Sequence, residues 1–215
     1  MALRLTPTNL LQFYTFLSPI LISTFLLFMG FFSGGPQQGI VYLIGVLINH
    51  LFGMGFKTFF SKYSRFLRTP IKMNYPLNPG QTTASMPDYC NVFVTPWFNQ
   101  AVNDTSMPSL NAMFHSFTFV YLLCGIMMNP NKPAIPFLVI LGITALANMG
   151  FRTYYFCDKM QDILVGVILG GLFGFGIFSL IYYTSDIGPT LVFFAKEDNS
   201  KKCKLSKTKF KCSYN

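Results

Sequence analysis

Arg152 is followed six residues later by Asp158 and ten residues later by Asp162, and a long apolar run begins immediately afterwards. Upstream, Pro108-Ser109-Leu110-Asn111 opens another apolar run, with His115 four residues beyond Asn111, while Lys62 and Arg68 follow the end of an earlier one. Cations and a hydroxyl at the ends of apolar segments can hold a lipid phosphate, and His115 is a candidate acid or nucleophile. On a helix Asn111 and His115 face the same direction one turn apart. The same residues also admit a structural use, which we prefer. In that use Arg152 pairs with Asp158 or Asp162, Lys62 and Arg68 meet anionic lipid at the interface, and His115 is a hydrogen-bonded histidine inside a bundle.

The elements that must position these groups are membrane helices. Of the 215 residues 52% are hydrophobic, 25 are Phe and only 11% are charged, more apolar surface than a soluble domain of this size hides. Five stretches, Leu10–Phe32, Gly39–Phe56, Ser109–Met128, Ala134–Phe151 and Ile163–Tyr183, are long enough to cross about 30 Å of hydrocarbon, and none contains Lys, Arg, Asp or Glu. The first lacks a concentrated basic leader and a small-residue cleavage site, so it reads as a retained span. Ile187–Ala195, after Gly188-Pro189, is too short to cross and reads as interfacial or re-entrant.

Counting crossings sets the topology. If the amino terminus is on side A, the chain returns there near Lys57, leaves at Ser109, returns near Arg152 and leaves again after Asp162. Every candidate site residue therefore lies on one face. The expected organisation is a bundle over residues 1–195 with a cap at 57–108, followed by a basic tail at 196–215. The cap begins with Lys57–Arg68, where Phe59, Phe60, Tyr63, Phe66 and Leu67 share one face of an interfacial amphipathic helix. Gly166, Gly170 and Gly174 form a stripe in the last span, read as internal helix packing rather than a dimer seam. His50 reads as packing or as a helix–helix hydrogen bond.

Taken together, the motifs resemble the membrane-embedded type 2 phosphatidic acid phosphatase family, also called the phosphatase/haloperoxidase superfamily. Its motifs are Lys-x6-Arg-Pro, Pro-Ser-Gly-His and Ser-Arg-x5-His-x3-Asp. The resemblance implies an all-α polytopic bundle and, in active members, a phospho-histidine route. There the last His attacks, the Asp orients it, the middle His protonates the leaving group, and Lys, Arg and Ser hold the phosphate. Here the first motif falls on Lys62 and Arg68, with Thr69 before Pro70 where the Arg is expected. The second falls on Pro108 to Asn111, losing Gly and His. The third has Phe151 for Ser, Arg152, Asp158 in place of the nucleophile, and Asp162.

The departures imply a catalytically degenerate member, because neither Asn111 nor Asp158 can form the phospho-histidine, and a carboxylate beside Asp162 repels an incoming phosphate. Lys62, Arg68, Ser109 and Arg152 remain the phosphate-binding candidates, and no metal or cofactor is expected. The leading expectation is a structural or scaffold protein of a membrane. The pattern around Pro108–Tyr121 also resembles phosphatase-like membrane proteins of large DNA viruses, which would make it a virion component tying an internal lipid layer to capsid proteins through the 57–108 cap or the tail. The alternatives are an active lipid phosphate phosphatase using His115 and a phospholipid-headgroup binder.

The tail carries seven lysines, among them Lys209 and Lys211 alternating with Thr208, Phe210 and Cys212, a strand pattern able to pair with a partner. Acidic lipid and acidic protein are its natural partners, with nucleic acid less favoured. The five cysteines lack metal-like spacing. Cys90 with Cys157, and Cys203 with Cys212, are the pairs that an oxidising compartment would allow to bond.

Overall fold

A computed structural model describes residues 7–33, 35–62, 105–129, 134–154, 157–184, 187–195, 202–206 and 209–213, with residues 7–12, 15, 16, 33 and the last two segments as backbone alone. The elements are α1 (Pro7–Ser33), α2 (Pro36–Phe60), α3 (Leu110–Met127), α4 (Ile135–Tyr154), α5 (Met160–Thr184), the short α6 (Gly188–Leu191) and an antiparallel pair of strands, β1 (Lys202–Ser206) and β2 (Lys209–Ser213). Four helices, α2 to α5, are long and apolar enough to cross a membrane. α1 carries a further apolar segment, Leu17–Phe32, and packs on α2 and α4.

α3 is the centre of the bundle. In its span 61% of residues are buried, against 28–33% in α2, α4 and α5, so it is the helix the others enclose. Its ring stack of Phe117 and Tyr121 meets Tyr42 from α2 and Phe178 from α5. The outward faces are apolar, with Ile143, Leu146, Leu172, Phe175 and Leu180 exposed. In water such faces would drive aggregation, whereas against lipid tails they cost nothing. The chain therefore fits an integral membrane protein.

Close approach between α3 and α5 depends on the glycine stripe. A Cβ on Gly166 would come within 2.6 Å of the Ser109 carbonyl, one on Gly174 within 2.6 Å of the Phe117 carbonyl, and one on Gly170 would collide with the Met113 backbone. The stripe is thus used within the chain, and the Ser116 hydroxyl adds a 2.6 Å hydrogen bond to the Val167 carbonyl. α1 and α2 join through Gly35, whose φ of 130° favours glycine, with Pro36 supplying the preset φ of a helix first turn.

The segment after α5 turns back into the bundle. Val192, Phe193 and Ala195 are buried, and Phe193 lies edge-on to Tyr42. The Phe193 carbonyl passes so close to Gly125 that a methyl there would collide with it. Within Ile187–Ala195 the burial falls mainly on Val192 to Ala195, while Ile187 is exposed. In the tail, β2 is the strand expected from the Lys-x-Lys pattern, and it pairs with β1, placing Cys203 opposite Cys212 in register.

Two expectations about the cap are corrected. α2 runs through Lys57 to Phe60, and Lys57 is 5% exposed rather than part of an interfacial surface, because its ammonium donates to the Thr105 carbonyl at 2.7 Å. A buried cation is tolerable when it has such an acceptor. Tyr63 to Arg68, the rest of the expected amphipathic helix, lie outside the described residues, as do Cys90 and most of the cap.

Candidate functional site

Helix ends assemble the site. Ser109 has an extended backbone (φ −69°, ψ 111°) and is the N-cap of α3, the residue type that serves this position. The Met107–Pro108 peptide before it is cis. Arg152 occupies the last turn of α4, where a cation complements the helix dipole, and Asp162 the first turn of α5, where an anion does. The Ser109 N–H donates to the Asp162 carbonyl at 3.1 Å, bolting the start of α3 to the start of α5.

Two side chains converge on one oxygen of a third. The Ser109 hydroxyl and the Arg152 Nε–H each donate to Asp158 Oδ2 at 2.6 Å, and Ser109, Arg152 and Asp158 are all 3% exposed or less. Charge-assisted bonds this short are the strong kind, and removal from water strengthens them further. The loop that presents Asp158 is itself pinned, since the Cys157 and Asp158 N–H groups donate to the Arg152 carbonyl at 2.8 and 3.4 Å. Cys157 is disulfide-bonded.

Asp162 has a different task. Its Oδ2 accepts the Lys159 backbone N–H at 3.1 Å, reaching back from the third helical position to the residue before α5, which is the acidic half of a capping box. Arg152 pairs with Asp158, one of the two partners its spacing allowed.

His115 belongs to a second buried cluster deeper in the bundle. It is fully buried, its Nε2 is hydrogen-bonded to the Ser18 hydroxyl at 3.1 Å, and Ser18 also accepts from Asn148 Nδ2 at 3.2 Å. The cluster joins α1, α3 and α4. Nothing in the spacing of the sequence links Ser18 to His115; the only signal is a serine inside an apolar run, and helix phase alone does not tell which neighbour it meets.

The remaining candidates separate. Lys62 is exposed in the turn after α2, outside the buried cluster, whereas Lys57, on the last turns of α2, is the buried lysine. A lysine ending an apolar span was the available signal for it. Arg68 lies outside the described residues. Asn111 is 5% exposed and lines a cavity between α1, α2 and α3. Among the described residues, no three of His, Cys, Asp and Glu are grouped as a metal site would need.

No protein-family model, curated protein or solved structure significantly matches the chain.

Proposed function

We propose that this chain is a structural membrane protein with a catalytically degenerate, phosphatase-like bundle, in which α1 completes five spans. The observation that carries this reading is the convergence of the Ser109 hydroxyl and the Arg152 guanidinium on Asp158 Oδ2, both at 2.6 Å. A hydroxyl and a guanidinium side by side are what a phosphate oxygen would seek. Here an internal carboxylate takes the place of such an anion, so the donors hold three helix ends together instead of a substrate. His115, buried and hydrogen-bonded to Ser18, is held in a separate cluster from the Ser109 and Arg152 donors, which supports the same reading.

On this reading the 57–108 cap and the lysine-rich tail are the surfaces that would tie the lipid layer to an outer protein shell, as in a virion with an internal membrane. The purified full chain assayed on phosphatidic acid should release no phosphate. Metal-independent release that His115→Ala abolishes would replace this reading with the rearranged phosphatase. Binding of phosphorylated lipid without turnover, lost in Arg152→Ala, would replace it with headgroup recognition.

A further inference from the structure

Between α1, α2 and α3 lies a cavity of about 310 Å³, within the range of pockets that hold small molecules. Its lining is mostly apolar, with Leu47 and Phe114 among the walls, but two asparagines face it. Asn49 is 2% and Asn111 5% exposed, and among the described residues neither side-chain amide has a hydrogen-bond partner for its Oδ1. Asn49 is oriented by its neighbours. Gly45 and Gly53, one turn before and one turn after it, approach so closely that a Cβ would lie 2.9 Å from Phe117 and 2.6 Å from Leu110 of α3. Asn49, on that same face of α2, is therefore aimed at α3, where Asn111 sits in the first turn.

A buried side-chain amide without a partner is costly, and two of them beside one cavity call for an occupant that can hydrogen-bond with them. The volume is about ten times a single water's share of liquid volume, and the apolar walls would leave most of a water cluster without partners. Among the described residues no Lys, Arg, Asp or Glu lines the cavity, so a charged headgroup placed there would be buried with no counter-ion among them. Among the described residues His50 is the one titratable side chain on the lining.

We infer that this cavity is a binding site for an uncharged amphiphile with a hydroxyl head, a long-chain alcohol being the simplest case, whose hydroxyl hydrogen-bonds the side-chain amide of Asn49 or Asn111 while its chain fills the apolar part. The site is separate from the Ser109–Arg152–Asp158 cluster and its occupancy does not depend on what that cluster does.

The test uses the full chain in a detergent without hydroxyls and a decanol analogue carrying a photoreactive diazirine on its chain. Labelled peptides should come from the α1, α2 and α3 lining, and decanol should compete at least tenfold better than decane or decanoate. Asn49→Leu with Asn111→Leu should cut labelling about tenfold while the thermal melt still shows a folded chain. If that double variant does not fold, Ile20→Trp, which fills the cavity from α1 and keeps both asparagines, should abolish labelling in its place. Equal competition by decane would reduce the site to simple partitioning and overturn the inference. Stronger competition by decanoate, or undiminished labelling in the folded double variant or in Ile20→Trp, would overturn it as well.

Discussion

Removing the Asp158 carboxylate is the sharpest test of the closed clamp. Arg152 and Asp158 side chains are 4% and 0% exposed, so Asp158→Ala leaves a guanidinium in the interior with its short Nε bond gone, and leaves the Ser109 hydroxyl without its acceptor. Breaking a buried pair from one side costs about 3–5 kcal/mol, because a charge stays behind without that partner. Removing Arg152 as well takes that charge away, so the double variant Arg152→Ala with Asp158→Ala should be more stable than the sum of the singles by about 2 kcal/mol. The vacated position should then accept an external anion. Inorganic phosphate at about 100 times its Kd would return about 2.7 kcal/mol to Asp158→Ala and nothing to the unaltered chain. Denaturant titration in mild detergent, with and without phosphate, measures all of these. A loss below about 1 kcal/mol, the size of an exposed ion pair, would refute the reasoning, as would equal stabilisation of both proteins by phosphate.

Gly170→Ala should destabilise the bundle by about 1–3 kcal/mol, because its methyl has to displace the Met113 backbone, whereas Gly176→Ala, facing open space, should be tolerated in the same thermal melt. Lys57→Ala should cost about 1–3 kcal/mol by removing the buried bond to the Thr105 carbonyl, while Lys62→Ala, on an exposed turn, should stay within about 0.5 kcal/mol. Cys124 is a free thiol and Cys157 is disulfide-bonded, so maleimide applied to denatured, unreduced protein should modify Cys124 and spare Cys157 until a reductant is added. Mass mapping of the labelled peptides reads this directly.

The apolar runs by themselves located the helices, because burying unpaired charge in hydrocarbon is costly enough to keep Lys, Arg, Asp and Glu out of every span. Crossing parity then put Ser109, Arg152, Asp158 and Asp162 on one face, and the Gly166, Gly170 and Gly174 stripe marked where two backbones touch. These are one-dimensional signals, and a single chain carries them in full. What tertiary structure alone decided is the pairing. Hydrogen bonds reach about 3 Å, so their partners depend on how each helix is rotated and where its end stops, quantities that residue periodicity leaves open. Thus Arg152 met Asp158 while Asp162 capped α5, Lys57 rather than Lys62 was enclosed, and Ser18 found His115 across 97 residues of sequence. The asparagine-lined cavity was equally illegible, since Asn49 and Asn111 look alike to any other span-interior amides until three helices close around them.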